Sequence, residues 1–117
     1  MREVNVLWVW AGELGRYSNV GSEFQVIRKY KRKKGYSVRP VYKNYSGYTR
    51  SGKTERFETF EEVLQYLDRN HPARRNYGPV VTPEDVLRAL ENAGEEVREF
   101  WKEEYEYLKN SVRRGES

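Results

Sequence analysis

The sequence has no cysteine, which excludes disulfides, thiolate zinc sites and thiol nucleophiles. Its one histidine, His71, excludes metal centres built from several imidazoles and any catalysis that needs two. Aspartate is scarce: Asp68 and Asp85 are the whole supply, and neither belongs to a paired-carboxylate motif of the kind a metal nuclease uses. No phosphate-binding glycine loop, dinucleotide fingerprint or metal-ligand spacing occurs, so no cofactor or metal is expected. The longest strongly apolar stretch, Val6 to Ala11, is far too short to cross a bilayer, and no signal-peptide pattern surrounds it. Together these absences predict a cytoplasmic, non-enzymatic domain. The single methionine, few glutamines and abundant Glu, Lys and Arg match the usage of proteins from hot environments, or simply a lysine-rich surface.

The 117 residues suffice for one compact domain, and at 37% hydrophobic the aromatic residues, 15% of the chain, must fill much of its core. The net charge of +4 hides an uneven distribution. Residues 28–56 hold eleven basic groups against Glu55 alone, a net +10, whereas residues 82–117 hold six basic and ten acidic groups, a net −4. The segments 1–27 and 57–81 are each at −1. A contiguous basic block of this size attracts polyanions. A solvated lysine-rich hairpin would have the same charge but would not need the aromatics interleaved with it.

The pattern predicts an α+β fold: a four-stranded antiparallel meander over about 3–58, then a short helix and a long C-terminal helix. Residues 3–11 are β-branched and aromatic and apolar on both faces, which reads as a central strand. Strands follow at about 23–31 and 36–45, joined by a turn at Lys33-Lys34-Gly35. Pro40 lacks an amide proton, which predicts a bulge or an edge position for the third strand. Ser46-Gly47 and Ser51-Gly52 bracket an exposed loop, and Lys53 to Glu58 reads as the fourth strand. Thr59-Phe60-Glu61-Glu62 is a capping box, and Phe60, Val63, Leu64 and Leu67 follow at helical spacing, so a helix should run to about Asn70. Thr82-Pro83-Glu84-Asp85 starts another, with a capping hydroxyl, proline at the first position and acids in the first turn. Residues 1–81 form the basic, aromatic sheet with its capped helix, and residues 82–117 the helical segment of the same domain.

The basic block carries the chemistry. Arg28, Lys31, Arg39, Lys43 and Arg50 are the expected phosphate contacts, and Tyr30, Tyr42, Tyr45 and Tyr48 the expected stacking rings. Cations release counterions from phosphates, and ring faces stack on unpaired bases without regard to sequence. The expected partner is therefore single-stranded nucleic acid, DNA before RNA. Phe24, Val26, Arg28 and Tyr30 share one side of the second strand, Tyr36, Val38 and Tyr42 one side of the third, and Trp8 and Trp10 one side of the first; opposite them lie Gln25, Ile27, Lys29, Arg39, Val41 and Lys43, a more polar set. Which of these sides the helices cover is open from sequence: the rings are core, or a platform, or the walls of a cleft with basic rims. A protein-interaction module docking an acidic partner, such as a viral or plasmid accessory factor, is the competing class. A small metal-free ribonuclease using Arg, Lys and Tyr is a third, with Glu13 or His71 beside Arg74 and Arg75 as its only other resources.

The last segment, unbroken from 82 to 113, would be about 48 Å long, more than the domain before it. Its apolar stripe of Val97, Phe100, Trp101, Tyr105 and Leu108, extended by Val112, is therefore expected to pair with a second copy as a dimer. A kink at Gly94 would instead fold the distal half back over its own sheet.

The order of elements, a basic aromatic antiparallel sheet, a helix after Glu-Thr-Phe-Glu-Glu and a further long helix, resembles compact single-strand-binding domains of the transcriptional-coactivator type and of the archaeal ThermoDBP type. The resemblance lies in layout and composition over most of the chain, and no site residue is carried over from it. It implies single-stranded DNA binding and dimers joined through helices.

Overall fold

The computed structural model describes residues 3–14, 21–44, 46–69 and 81–115. Among them, five strands, β1 (Val6–Leu14), β2 (Gly21–Lys29), β3 (Tyr36–Asn44), β4 (Thr49–Ser51) and β5 (Glu55–Phe57), are followed by four helices. These are α1 (Phe60–Arg69), α2 (Pro83–Asn92), α3 (Glu95–Phe100) and α4 (Lys102–Gly115). The sheet is antiparallel in the order β1-β2-β3-β4, with β5 also on β3. The α+β layout expected from the sequence is present. No helix among the described residues is long and apolar enough to cross a membrane.

Two expectations about the strands need correction. Among the described residues, β1 is at the border of the sheet, not its centre. Its second apolar face carries Trp8 and Trp10, 42% and 53% exposed, so alternating apolar residues here do not mean burial on both sides. Pro40 lies in β3, which is neither bulged nor an edge: the partner strand is interrupted instead. β4 pairs with 41–43 and β5 with 36–38, and residues 52–54 between them are outside the ladder. The amide of Gly52 donates to the Pro40 carbonyl at 2.9 Å. In a strand the N and C=O of one residue face the same neighbour, so the missing proton of Pro40 points at this gap. The expected fourth strand at 53–58 is β5, and part of the expected loop forms a further short strand, β4. The bulge is in β1, between Trp10 and Gly12, where Gly12 takes a φ of +128°.

The helices cover the face bearing Leu7, Val9, Ile27 and Val38. α1 begins with its capping box: the Glu62 amide donates to Thr59 Oγ1 at 3.2 Å, and the Thr59 amide to Glu62 Oε1 at 3.1 Å. α2 begins with an equivalent box between Thr82 and Asp85. The single long helix is not formed. Gly94, at φ +102°, turns the chain between α2 and α3, a backbone conformation that costs glycine little. Arg98 of α3 reaches back and donates to the Glu91 carbonyl at 2.8 Å, closing the end of α2. α4 then packs against α2, over the sheet.

One turn of the chain fastens this layer. The Trp101 indole is fully buried and donates to the Val4 carbonyl, just before β1, at 2.8 Å. Three residues later Glu104, buried, accepts from Lys29 Nζ at 2.8 Å and from the Tyr36 hydroxyl at 2.5 Å. Burial, then the hydrogen bond to Glu104 and the charges of Glu104 and Glu103, holds the Tyr36 hydroxyl well above the ordinary tyrosine range.

Trp101→Phe should keep the fold but leave the Val4 carbonyl unpaired, a loss of about 1–3 kcal/mol read as a lower urea midpoint. Because the folded-state pKa of Tyr36 is raised, its contribution is complete below the unfolded value near pH 10. It should disappear as the pH rises above that value, so urea midpoints measured from pH 9 to 11 should fall less steeply in Tyr36→Phe than in the native chain.

Candidate nucleic-acid interface

Helices cover one face of the sheet and leave the other open, and the register decides what stands there. Residues paired across strands share a face. Trp8 pairs with Val26 and Val26 with Arg39; Trp10 pairs with Phe24 and Phe24 with Val41. Arg28 pairs with Ser37 and Ser37 with Arg56, while Lys43 stands between Ser22 and Thr49. The open face is therefore aromatic on the β1–β2 side and basic on the β3–β5 side. Val26 and Val41, 5% and 2% exposed, form its floor.

This is a different grouping from the one that within-strand alternation suggests. The aromatic side of β2 joins the basic side of β3, and Tyr36, Val38 and Tyr42 turn toward the helices with Gln25, Ile27 and Lys29. The relative phase of two strands depends on their register, which no single strand contains.

The rings on the open face hold one another. Trp8 meets Phe24 edge to face at a centroid distance of 5.6 Å, and Lys43 Nζ stands 4.5 Å over the Trp8 ring. Trp10, the more exposed indole, has no ring or cation partner among the described residues. Arg28 has one weak tether, an exposed contact to Glu3 at 3.4 Å. The helix layer, by contrast, presents Glu99, Glu103 and Glu106 to solvent, so the two sides of the molecule differ in sign.

Of the residues expected to bind, Arg28, Arg39 and Lys43 are brought together on the open face. Tyr30 and Lys31 lie in the exposed β2–β3 connection, where Lys33 Nζ stands 4.9 Å over the Tyr30 ring. Tyr48 is 56% exposed in the β3–β4 turn, its amide donating to Asn44 Oδ1 at 2.8 Å. Tyr42 and Arg50 pair with each other across β3 and β4 on the opposite face, away from the cluster. Tyr45 lies outside the described residues, as do His71, Arg74 and Arg75. The sequence reading missed Trp8, Trp10, Phe24 and Arg56 as members of this face. The alternation within β1 and β2 puts Trp8 with Trp10, and Phe24 with Arg28, but which side of the sheet stays open is decided by the helices.

The residues expected to pair two copies are placed differently. Val97, Trp101 and Leu108 are buried in the chain's own core, and Phe100 and Tyr105 pack partly against it. The premise of an uncovered stripe on an overlong helix is absent, because the bend at Gly94 folds that stripe onto the sheet.

With Trp8 and Trp10 exposed and Trp101 fully buried, Trp8→Phe together with Trp10→Phe should shift the remaining emission to the blue. Most acrylamide quenching should disappear with it. No family model, curated protein or solved structure matches this chain, so its functional reading rests on this geometry.

Proposed function

We propose that the chain binds single-stranded nucleic acid, DNA in the first instance, on the open face of its sheet. The observation that carries the reading is the pair of exposed indoles of Trp8 and Trp10, set beside Arg28, Arg39, Lys43 and Arg56 on one face. Exposed tryptophans on a packed sheet leave apolar area in water that a ligand can cover. A base can cover it only when unpaired, since a duplex hides its ring faces inside the stack.

Bases stack on Trp10 and Trp8 while the phosphates run along the β3–β5 side. Trp8 and Trp10 are two residues apart in one strand, about 6.8 Å, so each can serve a separate base. Lys43 shields Trp8 in the free protein; a base on that ring releases the ammonium to a phosphate, so stacking and charge neutralisation are coupled. The exposed basic residues 31–34 extend the phosphate track past the end of the sheet. The acidic helix layer turns a polyanion toward the open side. None of these contacts reads a base edge, so little sequence preference follows.

Titration with poly-dT should quench tryptophan emission. Trp10→Ala should weaken binding by about 1–3 kcal/mol, about fivefold to more than a hundredfold in Kd. Arg39→Gln should reduce the slope of log K against log salt by about 0.7, the share of one phosphate on a single strand. Absence of binding at low salt would end the proposal, and tighter binding to duplex than to poly-dT would overturn the stacking mode.

A further inference from the structure

Among the described residues, β1 has a strand on one side only. Sheet borders of monomeric proteins usually carry lysines, prolines or bulges that discourage further pairing. From Val6 to Trp10 this border has none: the run is Val-Leu-Trp-Val-Trp, and the bulge begins beyond it. Alongside runs a groove of about 640 Å³ whose far wall is α2, lined by Leu7, Trp8, Trp10, Ala89, Asn92 and Val97 among others. A groove between a strand edge and a helix fits an extended chain that hydrogen-bonds to that edge.

We propose that its occupant is β1 of a second copy, paired antiparallel about a two-fold axis through Trp8. The run is complementary to itself in this register. Trp8 meets its own counterpart, Val6 faces Trp10 and Leu7 faces Val9, in both directions, so every cross-strand pair is apolar on both faces of the sheet. Charge also favours a second copy at this border. Residues 1–27 are at −1 and residues 28–56 at +10, so contact through β1 joins the copies where repulsion is small and leaves their basic strands at the far ends. On the groove wall Asp85 and Arg88 stand 3.6 Å apart, so that wall carries one charge of each sign.

The consequence rests on the function proposed above. Two open faces become one, with four indoles in the middle and cations on both flanks. A long strand crossing it engages both copies and gains by effective concentration.

Light scattering on the native chain at tens of micromolar, without nucleic acid, should give twice the chain mass. Val6→Lys, which sets two cations in the seam, should give the single mass with an unchanged circular dichroism spectrum. A native monomer overturns the proposal, as does a dimer that folded Val6→Lys leaves intact. Should Val6→Lys not fold, hydrogen exchange of the native chain decides: protection of residues 6–10 should rise with protein concentration, and exchange independent of concentration overturns the pairing. Because nucleic acid is absent, a dimer that ignores poly-dT would refute the proposed function alone. A monomer that binds poly-dT would refute the pairing alone.

Discussion

The fold depends on where one turn of the C-terminal segment is tied. Trp101 and Glu104 reach three consecutive pieces of the sheet: the lead into β1 through the Val4 carbonyl, β2 through Lys29 and β3 through Tyr36. A buried carboxylate is costly unless it is paired and its lone pairs are met, and Glu104 has both an ammonium and a hydroxyl. The cluster therefore tolerates few alternative placements, and it commits the helix layer to one face of the sheet. Everything exposed on the other face follows from that choice.

That commitment resolves the ambiguity in the aromatic residues. Seventeen Phe, Tyr and Trp residues are too many for one role in a domain of this size. Phe60 and Trp101 fill the core under the helices, with Tyr36 partly buried between them at ring distances of 5.6 Å and 6.4 Å. Trp8, Trp10 and Phe24 stand on the uncovered side, over a floor of Val26 and Val41. The bulge at Gly12 ends the flat part of β1 just past Trp10, so the exposed indoles occupy the regular stretch of that border.

The C-terminal segment shows how a local signal can be read correctly and its consequence wrongly. The apolar spacing from Val97 to Leu108 is real and the weakness at Gly94 is real. An apolar stripe specifies that something must cover it; it does not specify whether the cover is another chain or the same one. Here the φ of +102° at Gly94 and the cap that Arg98 supplies to α2 bring the stripe back onto the sheet.

The amino-acid order by itself determined the features whose physics is local: both capping boxes, the helix of Phe60 to Leu67, the breaks at Gly94 and before β3, and the excess of cations between residues 28 and 56. The caps, helix and breaks depend on neighbours within four positions, where hydrogen bonds and backbone preferences act directly, and the charge excess is a matter of composition alone. Only the tertiary structure decided that β1 is a border strand, that Pro40 faces a gap between two short strands, and that the aromatic side of β2 lies beside the basic side of β3. Those depend on register and on which face receives the helices. Both are set by contacts such as Trp101 to Val4, across 97 positions of sequence, whose partners no local pattern pairs.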